Sequence, residues 1–182
     1  IDPVEFYIMQ DFVAAKFEMA EYWHINSGLE ERVKEFLAKK IEPDVVLQID
    51  IPEKDFNIAG RGSSELKNLL KRLGVDSDIL RRIAVASYEA EINVAAHSIG
   101  GKMISNVYDD LIYMQFIDNG PGISDIEQAM IPGYSTADDL VREFGFGAGL
   151  GLPNIKKNSD ALHIESALGS PTLVEIIIFF LK

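Results

Sequence analysis

The chain has 182 residues, 47% of them apolar, which is enough for one domain with a real core and an accessory segment. Its formal net charge of −12 repels nucleic-acid backbones and acidic membranes, which argues against direct binding to either. It contains no cysteine, and its longest apolar run, Leu173 to Leu181, is too short to span a bilayer, which predicts a soluble, cytoplasmic protein without disulfides.

Residues 1–44 predict an N-terminal helical segment. Residues 6–23 repeat apolar side chains at helical spacing, and Ser27 to Glu30 has the pattern of a capping box before a polar helix that ends near Lys40. His24 has no second ligand-type residue at metal spacing, so we interpret it as a surface or packing histidine. Because such apolar helices need a surface to cover, we expect them to dock on the main domain, on a second copy in a homodimer, or on a partner.

Residues 45–182 predict an α+β domain in which helices lie on one face of a mixed, mainly antiparallel sheet. A half-buried strand is predicted over 45–51, and Asp76 is placed to cap a long helix that reaches His97. The other predicted elements are a helix over 63–73, a hairpin of strands over 102–108 and 111–117, an irregular lid over 125–146, a helix over 153–159, and strands over 162–166 and 172–180.

Two glycine clusters flank the lid, Asp118 to Ile123 and Gly145 to Leu152. Glycine lets backbone N–H groups approach a polyanion, so the clusters suggest a phosphate site with a lid. The second cluster has Gly147, Gly149 and Gly151 at alternate positions, which is neither the dinucleotide fingerprint nor a P-loop. By itself it fits a flexible turn before a helix equally well.

The long helix presents Glu89, Asn93 and His97 at four-residue spacing, which stacks them along one face among alanines and valines. Polar groups buried without partners cost roughly 2 to 7 kcal/mol each, so something polar should lie against this face. The alternative is a solvent-exposed polar stripe, and Glu91 is interpreted as a surface acid. An asparagine oxygen beside phosphates suits Mg²⁺.

Taken in order, these motifs resemble the three boxes of the GHKL (Bergerat-fold) ATPases. The boxes correspond to Glu89-x-x-x-Asn93, to Asp118-x-Gly120-x-Gly122, and to Gly147-x-Gly149-x-Gly151-Leu152. Within that superfamily, residues 83–93 and 147–156 are most similar to the anti-sigma-factor-type serine/threonine kinases, especially the RsbT-like switch kinases of bacterial stress-response modules. The resemblance covers roughly residues 45–182, and it implies a two-layer Bergerat sandwich.

The resemblance also implies roles for individual residues. Glu89 would be the general base, and Asn93 would hold Mg²⁺ against the phosphates of ATP. Asp118 would accept a hydrogen bond from the adenine amino group, in a pocket that Gly120 and Gly122 shape. The backbone N–H groups of the second cluster would bind the phosphates, and the residues with that implied role are Gly147, Gly149, Gly151 and Leu152.

Three further implied roles leave an alternative open. His97 would assist phosphate binding, but it could equally be structural. Arg142 in the lid would pair with the γ-phosphate, or it would form a surface salt bridge. Thr172 would lie on the adenine side, but the chain has Gly169-Ser-Pro-Thr172 where relatives carry Gly-x-Gly-Thr, so the turn before it is stiffer.

The function that the resemblance implies is phosphorylation of a serine or threonine on a STAS-domain (anti-anti-sigma-like) protein, with ATP and Mg²⁺. A nucleotide-gated module that sequesters a sigma factor or another regulator, with little catalysis, is the alternative. The ATP-binding half of a sensor histidine kinase fits less well, because His24 is followed by Ile25 and no histidine followed by an acid precedes the domain.

Overall fold

Alternating apolar residues build a six-stranded sheet in the computed structural model, which describes residues 19–180. All five neighbouring pairs are antiparallel, which confirms the α+β class with a mainly antiparallel sheet; no parallel pair occurs among the described strands. The order across the sheet is β1-β5-β6-β4-β3-β2. The strands are β1 (Ala20–Ile25), β2 (Val45–Ile51), β3 (Gly101–Val107), β4 (Leu111–Asp118), β5 (Ala161–Ser166) and β6 (Leu173–Phe179).

Helices connect the strands much as the sequence predicts. The side chain of Asp76 accepts a hydrogen bond from the backbone N–H of Asp78, which confirms the predicted cap of the long helix. The hairpin of β3 and β4, the lid with its short helical pieces, and the helix after the second glycine cluster are also confirmed, with small shifts at their ends. The helices are α1 (Glu30–Ala38), α2 (Arg61–Arg72), α3 (Ser77–His97), α4 (Ile126–Ala129), α5 (Asp139–Glu143) and α6 (Gly151–Asn158).

The main core lies between the inner face of the sheet and α2, α3 and α6. Met103, Phe116 and Ile176 point inward from three adjacent strands, and Ile83 and Leu66 meet them from the helices; all five are fully buried. Each such side chain contributes roughly 1.5 to 3 kcal/mol through burial. This core fixes α3 in the middle of the helical layer, between α2 and α6.

Helix α1 lies on the opposite, outer face of the sheet, so the helices do not all share one face. Val33 of α1 is buried against Leu111, Ala161, Ile177 and Phe179, which alternate with the inward-pointing residues of their strands. The physical reason is the two-residue period of a strand, which gives β4, β5 and β6 an apolar outer face at this end.

The predicted helix over residues 6–23 is wrong at its C-terminal end and otherwise lies outside the described residues. Residues 20–23 belong to β1, an edge strand that pairs with β5 through partners such as Tyr22 and Ile164. Pairing with a strand far along the chain overrides the local helical periodicity. The division of the chain at residue 44 stays a prediction, and β1 and α1 both pack on strands that follow it.

The predicted capping box at Ser27 to Glu30 is also wrong, although the helix itself is confirmed. Leu29 occupies the cap position of α1 and no side chain caps it; its N–H instead donates to the carbonyl of Asn26 in the turn after β1. The helix ends at Ala38, slightly before the expected Lys40. None of the helices in residues 19–180 combines the length and the apolar character that a membrane span needs.

Candidate functional site

Helix α3 carries the polar residues of the candidate site and contacts α6 on one side and α2 on the other. Glu89 and Asn93 lie on the α6 side. Glu91 lies two positions away, about 200° round the helix, and faces α2. The three polar residues therefore serve two different interfaces, although they are close together in sequence.

Glu89 is held by an asparagine of α6. Asn154 donates from Nδ2 to Oε1 of Glu89 over 2.7 Å, in a part-buried position. The second carboxylate oxygen accepts no hydrogen bond from residues 19–180. Glu89 is therefore oriented by one neighbour and keeps one oxygen for a further donor, as a general base requires.

Asn93 lies directly against the start of α6. A Cβ placed on Gly151 would come within 2.9 Å of Oδ1 and 3.1 Å of Nδ2 of Asn93. Within the described chain the Asn93 amide makes no hydrogen bond, although its residue is half-buried. Gly151 thus leaves the space that this amide occupies at the helix N-terminus, where backbone N–H groups and the helix dipole favour anions.

The interpretation of Glu91 as a surface acid is wrong. Glu91 is 2% exposed, and its carboxylate accepts from the backbone N–H groups of Gly62 at 3.0 Å and Ser63 at 2.9 Å. These N–H groups belong to the first turn of α2, which has no side-chain cap of its own. Glu91 therefore caps α2 from a neighbouring helix and has a structural role.

Asp118 lies at the end of β4, as predicted, and its carboxylate is fixed by backbone donors. Oδ1 accepts from the N–H groups of Gly120 and Thr172, each at 2.8 Å. Thr172 is buried, and its hydroxyl lies 2.8 Å from that of Ser166. The other oxygen, Oδ2, has no hydrogen-bond partner in residues 19–180, so it is available to an outside donor.

Gly122 is required by close backbone contact. It adopts φ +82°, and a Cβ there would collide with the carbonyl oxygen of Ala167 and lie 2.9 Å from that of Ser170. The first glycine cluster is therefore packed against the turn between β5 and β6. That turn also delivers Thr172 to Asp118, so Asp118, Gly120, Gly122 and Thr172 form one local unit.

The second glycine cluster contacts the lid. The N–H of Gly133 donates to the carbonyl of Gly149 over 2.9 Å, and Gly147 lies against Ala137. The N–H groups of Gly147 and Gly149 donate no hydrogen bond inside the described region. Leu152, by contrast, packs against the hydrophobic core.

Arg142 lies beside the second glycine cluster, since a Cβ on Gly147 would come 3.7 Å from its Cγ, whereas His97 lies at the end of α3. Arg142 is exposed and donates from Nε to the carbonyl of Ala137, and it forms no ion pair with any described residue. His97 ends α3 at the surface. Desolvation by its surroundings lowers the pKa of His97; nearby Asp138 opposes this shift and Lys54 adds to it.

The structure joins α3 to the end of β4 through Gly101. Gly101 pairs with Asp118, and a Cβ on Gly101 would come within 3.0 Å of Val94, the residue after Asn93. A separate cavity of about 40 Å³ lies on the α2 side of α3 beside Glu91. It is too small for a nucleotide, since ligand pockets are commonly about 300 to 1,000 Å³, and it is not part of the candidate site.

Sequence reasoning missed one residue of the site, Asn154. It lies in the stretch that carries the family resemblance, but nothing in its local pattern indicates that it bonds Glu89, which is 65 residues earlier.

The comparisons with known proteins identify the family. A serine/threonine-protein kinase RsbT of Bacillus subtilis is 29% identical over 115 residues, which are 61% of this chain and 80% of the relative. An anti-sigma F factor of Clostridium beijerinckii is 30% identical over 105 residues, which are 54% of this chain and 70% of the relative. The chain belongs to the GHKL family of partner-switching kinases and anti-sigma factors.

An anti-sigma F factor of Caldanaerobacter subterraneus is similar as well, 32% identical over 99 residues that are 52% of this chain and 66% of the relative. A scan against protein-family models found no match. The open antiparallel sheet with helices packed on it agrees with a GHKL sandwich. Membership in this GHKL family connects the chain with partner-switching kinases and anti-sigma factors as a class; the roles of its individual site residues stay predictions.

Proposed function

We propose that the protein is an ATP-dependent serine/threonine kinase of a partner-switching module, acting on a STAS-domain protein. The observation that supports this most is the interface of α3 and α6. There Glu89 is oriented by Asn154, and one turn away the Asn93 amide lies against the helix start at Gly151. One base, one metal ligand and a backbone phosphate cradle are sufficient for phosphoryl transfer, because positioning and charge neutralisation dominate its catalysis.

These residues fit ATP with Mg²⁺. The Asn93 amide has no competing hydrogen bond in residues 19–180, and a Cβ on Gly151 would fill the space beside it. Asn93 Oδ1 would be the protein ligand of Mg²⁺, a hard cation that takes few protein ligands and would neutralise phosphate charge when bound. Oδ2 of Asp118 would accept from the adenine amino group, and the N–H groups of Gly147 and Gly149, which donate to no residue in 19–180, would bind phosphate oxygens.

In the proposed reaction Glu89 accepts the proton of the incoming serine or threonine hydroxyl on its unbonded oxygen. The hydroxyl oxygen forms a bond to the γ-phosphorus, and the bond from that phosphorus to the leaving oxygen of ADP breaks. Asn154 keeps the carboxylate in place during this exchange. The low-dielectric contact of α3 with α6 limits the reorganisation that the step requires.

Labelled ATP tests the proposal with purified STAS-domain proteins from the same organism. Glu89→Ala should keep nucleotide affinity and lose transfer by a factor of about 10² to 10⁴, as for removal of a general base. Asp118→Asn should lose affinity, because the amide presents a donor to the adenine amino group. Glu31→Ala, an exposed glutamate on α1, is the matched control. Full transfer by Glu89→Ala would remove the base assignment.

A nucleotide-gated binding module with little catalysis is the second candidate, and the names of two relatives, both anti-sigma F factors, favour it. The same experiment separates the two functions. Label on the STAS-domain protein supports the kinase. A stable, nucleotide-dependent complex with a sigma factor, without transferred label, supports the binding module.

A further inference from the structure

The outer face of the sheet contains a histidine surrounded by carboxylates, away from the α3 and α6 interface. His163 lies in β5, where its cross-strand neighbours are Trp23 of β1 and Glu175 of β6. It is 5% exposed, and its ring stacks on that of Trp23 with centroids 3.9 Å apart and planes 16° apart. The family motifs account for none of these residues.

One ring nitrogen of His163 lies against Glu175 of the neighbouring strand β6. Nδ1 lies 2.7 Å from Oε2 of Glu175. The other oxygen of Glu175 accepts from the hydroxyl of Tyr113 and from Nε2 of Gln115, the latter at 3.0 Å. Because an ionised carboxylate only accepts, Nδ1 must carry a proton, and the lone pair of the neutral ring is then on Nε2.

The other ring nitrogen faces two more carboxylates. Nε2 lies 2.8 Å from Oε1 of Glu21 and 3.6 Å from Oε1 of Glu165. Oε1 of Glu21 also accepts a hydrogen bond of 2.7 Å from Nε1 of Trp23. A lone pair on Nε2 would be repelled by these oxygens, so this side of the ring requires either a proton or a metal cation.

A single proton balances the charge poorly. Glu21, Glu165 and Glu175 carry three negative charges, one imidazolium would supply one positive charge, and no lysine or arginine in residues 19–180 is ion-paired with any of the three. A divalent cation on the Nε2 side would be attracted by Glu21 and Glu165 together and would leave Nδ1–H to bond Glu175.

We propose that Nε2 of His163 and carboxylate oxygens of Glu21 and Glu165 form a binding site for a divalent transition-metal ion of the Zn²⁺ type. The three ligand atoms lie within 4.8 Å of one another. In a tetrahedral site with bonds of about 2.0 to 2.1 Å, ligand atoms are roughly 3.3 Å apart, and the observed 2.8 Å and 3.6 Å lie on either side of that value.

The surroundings are those of a metal-bound histidine. A ligating imidazole usually donates its second N–H to a carboxylate that is itself hydrogen-bonded, as Glu175 is by Tyr113 and Gln115. The side chains of Glu21 and Glu165 are 55% and 41% exposed, which leaves an entry path and room for water as a fourth ligand. One imidazole with two carboxylates suits Zn²⁺ or Co²⁺ better than Mg²⁺.

The site would tie the edge strand β1 to β5, because Glu21 and Glu165 are cross-strand partners. It does not depend on the proposed kinase function, since α3 and α6 lie on the opposite, inner face of the sheet. Metal binding should therefore persist without nucleotide and should raise the melting temperature of the chain.

Trp23, the chain's single tryptophan, provides a direct readout. We would titrate the full chain, freed of metal by chelator and without nucleotide, with Co²⁺, which should quench the fluorescence of Trp23 with one-to-one stoichiometry. Zn²⁺ should displace Co²⁺ and restore the emission, while Mg²⁺ at the same concentration should not. Glu165→Gln should weaken Co²⁺ binding at least tenfold, and Glu175→Gln should weaken it roughly 10- to 100-fold.

Glu31→Gln, on an exposed face of α1, is the matched control and should bind Co²⁺ like the parent chain. Circular dichroism checks that each variant is folded, and Glu165→Gln is the safest variant because Glu165 is half-exposed at the surface. The proposal is overturned if Co²⁺ does not quench Trp23, if Mg²⁺ competes as well as Zn²⁺, or if folded Glu165→Gln binds with unchanged affinity. His163 would then be an imidazolium shared among carboxylates.

Discussion

Asn154 on α6 donates a hydrogen bond of 2.7 Å to Glu89 on α3 and so links the two helices at the candidate site. The bond restricts the rotamers available to the Glu89 side chain. It leaves the second carboxylate oxygen without a hydrogen bond from residues 19–180. Glu89 is thus oriented before any substrate binds, which lowers the entropic cost of reaching a reactive geometry.

Asn154 should act as a positioning residue in transfer. Asn154→Leu removes the donor, so kcat should fall roughly 10- to 100-fold while the affinity for ATP changes little. Asn154→Gln should recover part of the loss, whereas Asn154→Leu in the Glu89→Ala background should add almost nothing. Single-turnover transfer and nucleotide titrations measure the two quantities. A purely structural role would instead give equal losses in both backgrounds.

The predictions from sequence succeeded where the signal is local. Asp76 as the cap of α3, the β3 and β4 hairpin, and Asp118 at a strand end each follow from residues within one element or its flanks. The failures at β1 and at Glu91 involve partners far apart in the chain, whereas the capping box fails within its own turn. β1 is a strand because β5 pairs with it, and its local periodicity resembles that of a helix.

The same distinction between local and long-range contacts explains which site residues could be predicted from the sequence. The resemblance located Glu89, Asn93 and the glycines, but Asn154 became visible only when α6 was packed on α3. Nothing in the sequence around Glu91 indicates that it is buried, because its burial depends on two N–H groups of α2 that lie 28 and 29 residues earlier. Contacts of this kind depend on tertiary packing, which short-range periodicity does not encode.

Glu91 should contribute to stability rather than to transfer. Its two charge-assisted bonds to Gly62 and Ser63 are worth about 1.5 to 3 kcal/mol each, and a change to alanine also leaves two buried N–H groups without an acceptor. We expect Glu91→Ala to lower the free energy of unfolding by several kcal/mol. Urea unfolding measures this, with half-buried Glu89→Ala as the comparison. Equal midpoints for the two variants would contradict the capping role.

Gly151→Ala should weaken nucleotide binding more than it lowers stability. The Cβ of Gly151→Ala would lie 2.9 Å from Oδ1 of Asn93, so the amide must move and MgATP affinity should fall. The melting temperature should change little, because the amide is the end of a flexible side chain and a helix favours alanine over glycine. In the Asn93→Ala background the clash disappears, so Gly151→Ala should cause little further loss of MgATP affinity. A double-mutant cycle of MgATP affinities isolates this coupling. Additive effects would show that the two residues do not meet.

His97 should titrate below its ordinary pKa of 6.5, since desolvation lowers the value. The folded state then favours the neutral ring, so the stability that His97 contributes is complete above about pH 6.5 and is lost as the pH falls through the folded pKa. Asp138→Asn should lower this pKa further, and Lys54→Met should raise it. Proton NMR of the ring, assigned with His97→Gln, follows the titration. A pKa of His97 that rises in Asp138→Asn would contradict the electrostatic effect of Asp138 on the ring.

The loop after β2 holds the lid through two kinds of contact, aromatic and ionic, of unequal strength. The ring of Phe56 lies 5.0 Å from that of Phe144 and 5.3 Å from that of Phe146, and Lys54 pairs with Asp138 at 2.7 Å. Aromatic pairs contribute about 0.5 to 1.5 kcal/mol each, whereas solvent and salt screen an exposed ion pair and weaken it. The aromatic contact should therefore dominate.

Phe56→Ala should open the lid more than Lys54→Met does. A loss of 1 to 2 kcal/mol changes the open population roughly 5- to 30-fold, and trypsin cleavage after exposed Arg142 should accelerate by a similar factor while lid opening is fast relative to cleavage. Lys54→Met should accelerate cleavage less than Phe56→Ala does, because solvent screens the ion pair that it removes. Leu37→Ala, an exposed position on α1, controls for general destabilisation. If Phe56→Ala is cut no faster than that control, the lid is held by its contacts with Gly147 and Gly149 instead.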